Sequence, residues 1–149
     1  MDQVSHGILT FYEERKEKPD YLMSLTPGLR AEITMVVAPE NTAIAIGSGD
    51  VEVLATPILI AWMERAACQA VTSQLEAGTT TVGTFVQVRH LAATPVGQRV
   101  QATAELVEVE GRRLVFRVQA SDEKQPIGEG LHERVVVKRE RFGKNAESR

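Results

Sequence analysis

Cysteine is nearly absent: Cys68 stands alone in 149 residues. One thiol closes no intrachain disulfide, which suits a reducing compartment. Its place inside the apolar run AWMERAACQAV marks it as a buried structural thiol rather than a reactive one. Histidine is scarce too, and His6, His90 and His132 show no paired spacing, so no metal site is expected. The chain has no Gly-x-Gly-x-x-Gly turn, no phosphate loop and no Gly-x-Ser-x-Gly elbow, so dinucleotide, P-loop and α/β-hydrolase chemistries are set aside and no cofactor is expected. No stretch approaches the roughly 20 apolar residues that span a bilayer. A net charge of −3 supplies no global field for nucleic acid. The opening MDQVSHGILTFYEERKEKPD carries acids early and too short an apolar core for a secretory signal. The expectation is a cytoplasmic protein with neither membrane nor nucleic-acid partner.

What is present is a globular composition, 43% apolar and 25% charged, over a length that suits one domain with its own core. Residues 1–24 read as a peripheral arm, with a short helix available over Ser5 to Lys18. Residues 25–143 read as the domain, and 144–149 as a disordered tail. Leu29 to Ala38 alternates as a half-buried strand, and Thr42 to Ile46 as a short second one. Thr56-Pro57 looks like a helix start, with Thr56 as N-cap and Pro57 at the first helical position. The helix is expected over about 57–76, with a glycine stop at Gly78. Its first half, Pro57 to Met63, is apolar all round, the mark of a helix buried on nearly every side. After it the period is two: Val82 to Ala93, Arg99 to Glu108, Arg112 to Ser121 and Ile127 to Arg139, with a tight hairpin at Glu110-Gly111. The expected order, β-β-α-β-β-β-β, is an α+β pattern. A buried helix and long strands with open edges call for a curved antiparallel sheet around the helix, and for a homo-oligomer.

Three residues stand out, and each has a plain structural reading. Thr56 alone is an ordinary cap, although its hydroxyl lies beside helix N–H groups that favour negative charge. Glu64 sits in the middle of IAWMERAACQA, where a carboxylate is costly unless paired; alone it could point to the polar side with Arg65. His90 continues the apolar face of Val86 and Val88; alone it is a strand end. Gly83, ahead of it, offers bare backbone for close approach or an oxyanion N–H. The basic positions Arg112, Arg113, Arg117, Arg134, Lys138, Arg139 and Arg141 read mostly as solvated faces, with a few available to the phosphates of a nucleotide-like ligand.

Taken in order, EVLATPILIAWMERAACQAV, TVGTFVQVRHLAATPVG, VEGRRLVFRVQASD and IGEGLHERVVV resemble the fluoroacetyl-CoA thioesterase branch of the hotdog-fold thioesterase superfamily, over about residues 29–143. The resemblance implies a hotdog fold, a long helix wrapped by a curved antiparallel sheet, and a homodimer with active sites at the subunit interface, a tetramer being the larger alternative. It implies hydrolysis of an acyl-CoA to free acid and CoA. It carries catalytic roles onto Thr56, Glu64 and His90, and substrate contacts onto Gly83 and Arg134. The chain departs from the family at TAIAIGSGDVEVLAT, a short segment without Phe where the fluoroacetyl enzyme has a longer, aromatic-rich lid. A general short- or medium-chain acyl group is therefore expected.

Thioester hydrolysis needs an activated water or nucleophile, a polarised carbonyl and a stabilised leaving thiolate. Thr56 and Glu64 are separated by roughly 12 Å of helical rise, so His90 or a second subunit has to complete the site. Glu64 is the expected base, or a direct nucleophile; His90 orients Thr56 or Glu64 and shuttles the proton; Thr56 and a backbone N–H near Gly83 position the carbonyl. Two other classes are carried beside this one: a non-catalytic acyl-CoA-binding module, and a hotdog dehydratase or hydratase, whose usual His/Asp arrangement is not found here.

Overall fold

A computed structural model of the chain describes residues 24–148, so the arm expected over 1–24 lies almost wholly outside the described residues. The first strand, β1 (Arg30–Val36), follows the alternation of LRAEITMV and turns Ile33 into the core. The segment after it is not a strand. Thr42–Ile46 was expected to be extended, but Ala43–Ile46 is one helical turn, α1. The Thr42 hydroxyl accepts the Ala45 N–H at 3.3 Å, and Gly47 closes the turn at φ 78°. Capping at both ends overrides the period-two pattern of TAIAI, and Ile44 and Ile46 are left exposed. Only the single bridge between Thr42 and Leu54 remains of the second strand.

The central helix, α2 (Thr56–Thr72), begins one residue earlier than expected and ends four earlier than residue 76. Ala55, in extended backbone, holds the cap position, and Thr56 is the first helical residue. Pro57 has no N–H to satisfy, so the end needs less capping, and the Thr56 hydroxyl is engaged elsewhere. Leu59, Trp62, Met63, Ala66, Ala67, Ala70 and Val71 form the buried stripe, while Ala61, Arg65, Gln69 and Thr72 are exposed. The all-round burial expected of the first half is thus not met within one protomer. Burial of Leu59 or Met63 stabilises the fold by about 1.5–3 kcal/mol each.

From Gly78 the chain enters β2 (Thr79–His90), then β3 (Arg99–Glu110), β4 (Arg113–Ser121) and β5 (Pro126–Lys138). The five strands are antiparallel in the order β1-β3-β4-β5-β2. α2 lies across one face, chiefly against β1 and β3. Buried alanines on both layers, Ala66, Ala67 and Ala70 against Ala102, Ala104 and Ala120, keep helix and sheet close. Gly128 of β5 serves the same closeness, and Gly130 serves the approach of β5 to β2. A Cβ on Gly128 would meet Met63 Cε at 2.9 Å, and one on Gly130 would lie 2.0 Å from the Gln87 carbonyl of β2. The tail expected to be disordered from residue 144 is instead part of a third helix, α3 (Arg139–Glu147), on which Lys144 bonds Glu140 one turn back at 3.2 Å.

β2 is an edge strand, and it carries a bulge. Gly83 pairs with Arg134, but Phe85 pairs with Glu133, so Thr84 is an extra residue. Side chains alternate along a strand, and one added residue reverses the alternation beyond it. Thr81 and Gly83 oppose Val136 and Arg134, on the inner face of β5; past the bulge Val86, Val88 and His90 oppose His132, Gly130 and Gly128 on that same face.

Candidate active site

The structure brings the singled-out residues together in two groups rather than one. At the far end of β2, the Thr56 hydroxyl and His90 Nδ1 are 2.8 Å apart. Backbone bonds fix this meeting: Leu54 N–H donates to the Thr94 carbonyl at 2.8 Å, and Leu91 N–H to the Ile127 carbonyl at 2.7 Å. The Thr94 side chain is fully buried and donates to Asp122 at 2.8 Å, which ties the loop after His90 to the β4–β5 turn. Burial lowers the His90 imidazole below its ordinary value, against a raising backbone hydrogen bond at Ala92. His90 Nε2 is buried and finds no partner among the described residues. A pocket of about 490 Å³ opens beside the pair, lined by Ala43, Val51, Leu54 and Leu91 among others.

The second group surrounds Glu64, on the third turn of α2. Glu64 Oε2 accepts from Arg134 Nη1 at 3.2 Å. Arg134 is only 6% exposed, and the protein uses its donors: Nε–H to the Thr81 hydroxyl at 2.8 Å, Nη2–H to the Thr81 carbonyl at 2.9 Å. Nη1 also bonds His132 Nε2 at 3.1 Å. Gly83 lies against this group, and a side chain there would crowd it. A Cβ there would lie 2.8 Å from Glu64 Oε2 and 3.2 Å from Arg134 Nη1. Arg134, expected to contact substrate, is held inside the fold and pairs with Glu64. Sequence reasoning missed Thr81 and His132. The signal for His132 was its place two residues from Arg134, which puts both on one face of β5.

The two groups do not meet within a protomer. Roughly 20 Å of extended strand lies between Gly83 and His90, and roughly 12 Å of helix between Thr56 and Glu64. Among the described residues no cluster of three metal-ligating side chains occurs, and no helix is long and apolar enough to cross a membrane. Of the basic positions, Arg113 pairs with Glu110 and Glu133, and Arg117 with Glu105, while Arg112, Lys138 and Arg141 line a recess of about 330 Å³.

Comparison with known proteins places the chain in a family. The model of the fluoroacetyl-CoA-specific thioesterase family matches residues 37–140. The fluoroacetyl-CoA thioesterase of Streptantibioticus cattleyicolor is 48% identical over 91 residues, which are 61% of this chain and 66% of that protein, just under two thirds of it. A solved structure of a fluoroacetyl-CoA thioesterase superposes with a TM-score of 0.80 at 38% identity, covering 84% of this chain and 97% of the other. A Thermus thermophilus member of the thioesterase superfamily gives 0.74 at 31%, covering 85% and 99%. A hot-dog-like protein of Thermanaerovibrio acidaminovorans gives 0.79 at 26%, covering 87% and 96%. The matched stretch contains both groups of side chains, and the chain belongs to the fluoroacetyl-CoA-specific thioesterase family, with the hotdog fold.

Proposed function

We propose that this protein hydrolyses an acyl-CoA thioester to the free acid and CoA, as a homodimer in which each active site combines residues of both copies. The observation that carries this reading is the placement of two half-sites along one open-edged strand. Glu64 lies beside Gly83 near the start of β2, and Thr56 meets His90 at its end. Among the described residues the outer edge of β2 is unpaired, and this edge and the exposed Phe85 and Val86 along it favour pairing with a second copy. Antiparallel pairing of two β2 strands about an axis near Val86 and Gln87 sets Gly83 of one copy beside His90 of the other. That closes the 20 Å gap without moving either group.

In such a site water adds to the thioester carbonyl carbon while the Glu64 carboxylate takes its proton. Thr56 and the backbone near Gly83 hold the carbonyl oxygen as charge develops on it. The C–S bond then breaks, and the CoA thiolate takes a proton from Glu64 or through His90. Direct attack by Glu64 would leave a transient mixed anhydride, and label found in Glu64 after a single turnover in H₂¹⁸O would mark that course. The 490 Å³ pocket beside Thr56, and a preceding segment without Phe, support a short- or medium-chain acyl group. The single cysteine suits a cytoplasmic setting. The test is thiol release from acetyl-, fluoroacetyl- and hexanoyl-CoA by the wild-type protein, Glu64→Gln and His90→Ala. Turnover by the wild type that falls at least ~10²-fold in both variants is expected; near-wild-type rates in both defeat the assignment, and binding without thiol release points to a non-catalytic module.

A further inference from the structure

His132 is 1% exposed, and neither the family resemblance nor the proposed chemistry gives it a task. Its bonding leaves one protonation state. Nδ1 lies 2.8 Å from the Phe85 carbonyl, which can only accept, so Nδ1 carries the proton. Nε2 lies 3.1 Å from Arg134 Nη1, which can only donate, so Nε2 is bare. The ring is therefore neutral, and the 3.8 Å approach of Nε2 to Glu64 Oε2 is a contact between two acceptors rather than an ion pair. Burial, and then the Arg134 charge, lower the imidazole below its ordinary value, against the Phe85 carbonyl, Glu64 and Glu133.

This arrangement has a consequence for Glu64. Arg134 Nη1 has two N–H groups, and Oε2 and His132 Nε2 are both within reach of that nitrogen. Nε–H and one N–H of Nη2 are taken by Thr81, which fixes the plane of the guanidinium. With one Nη1 hydrogen drawn to a neutral ring, one is left for Glu64. The carboxylate is thereby gripped through Oε2 alone, and Oε1 makes no hydrogen bond among the described residues. A carboxylate in place of His132 would compete for the Arg134 charge, and an apolar residue would leave the second hydrogen free to turn onto Glu64.

We infer that His132 is a positioning residue for the reaction: as a neutral acceptor fixed by the Phe85 carbonyl, it aims the Arg134 guanidinium so that Glu64 is held by one oxygen and presents the other to the reacting water. This rests on Glu64 acting in thioester hydrolysis. The Thr84 bulge belongs to the device, because Phe85 is the first residue past it and its carbonyl receives Nδ1–H.

Two measurements test it. The ¹⁵N shifts of the His132 ring in the wild-type protein, read without substrate, should show protonated Nδ1 and bare Nε2 across neutral pH; a protonated Nε2 overturns the inference. The second compares His132→Gln with His132→Asn. Both lose the ring packed 6.3 Å from Phe116, so they share the loss of packing. Gln reaches the Nε2 position and keeps an acceptor for Arg134, whereas Asn keeps only a donor for Phe85. Expected is a kcat within about threefold of wild type for His132→Gln and at least ~tenfold lower for His132→Asn, with KM little changed in both. Equal kcat in the two variants overturns it. Absence of thiol release by the wild type defeats the hydrolase reading instead, and the ring shifts still decide the tautomer.

Discussion

Gly83 and Glu64 share one volume: the space a Cβ on Gly83 would fill lies 2.8 Å from the Glu64 carboxylate oxygen. The strand gives up a side chain so that a helix carboxylate can reach the inner face of β5, where Arg134 waits. Real Cβ atoms do not approach oxygen so closely, and the atom that must yield is the end of a flexible side chain.

Gly83→Ala is therefore expected to fold and to lose activity. Swinging Glu64 aside breaks its bond to Arg134, and kcat should fall at least ~tenfold, about 1.4 kcal/mol of transition-state stabilisation. The melting temperature should drop by no more than about 4 °C, since no backbone is displaced. A melting curve beside a kcat measurement decides it; a large thermal loss at unchanged kcat contradicts the shared-volume account.

The proposed composite dimer makes an arithmetical prediction. Glu64→Gln and His90→Ala are each expected to be inactive, yet each supplies the half the other lacks. Mixed in equal amounts and allowed to exchange, half the dimers are heterologous, and each of these holds one intact site. About a quarter of wild-type activity should return. No recovery after exchange, verified by mass-tagged subunits, would place the whole site within one protomer.

Acid sensitivity follows from the two strand histidines. His90 and His132 are both lowered from 6.5, so below about pH 6.5 the unfolded chain binds protons that the native state refuses. Stability then rises with pH through the window from the folded values up to 6.5, and is lost as pH falls through it. Melting temperatures between pH 5 and 7.5 should climb for the wild type. The slope should flatten in His132→Gln, and an unchanged slope would remove His132 from the account.

The bond between Thr94 and Asp122 holds the loop that follows His90. Burial alone would raise the Asp122 carboxyl, but Lys124 N–H, the Thr94 hydroxyl and Gln125 N–H together hold it below its ordinary value. Thr94→Val keeps the shape and removes one donor at a site with no exposure. It should cost about 1–2 kcal/mol of stability in urea unfolding, with the charge-assisted part of the loss fading only as pH falls below the ordinary 3.8 of the carboxyl toward its lowered folded value. Equal deficits at pH 3 and pH 7 would mean that packing, not the bond, is lost.

Much of this molecule can be read from its sequence, and the failures have physical reasons. β1, β3, β4 and β5 follow period-two runs bounded by turns, and α2 follows Pro57 and its apolar stripe. TAIAI deceived because Thr42 and Gly47 cap it, and capping outweighs a short alternation. The burial of α2 was overestimated because the face carrying Ala61, Arg65, Gln69 and Thr72 is not covered by the sheet. For the site, quoted motifs led to Thr56, Glu64, His90, Gly83 and Arg134. They could not reveal that Gly83 matters for its vacant volume, that Arg134 faces Glu64, or that Thr56 and Glu64 belong to separate groups. Those facts depend on register, and the Thr84 bulge leaves no mark in TVGTFVQVRH.

The bulge bears on how this chain can vary. Thr84 is exposed, and among the described residues its hydroxyl reaches only the Glu133 carbonyl, at 3.3 Å. Almost any side chain should serve at that position. Deleting the residue is another matter: Val86, Val88 and His90 would rotate to the outer face in a single step, leaving Thr56 without its imidazole. Substitutions here are cheap and deletions ruinous, so in relatives of this chain the spacing between Gly83 and His90 should persist long after the letters between them have drifted.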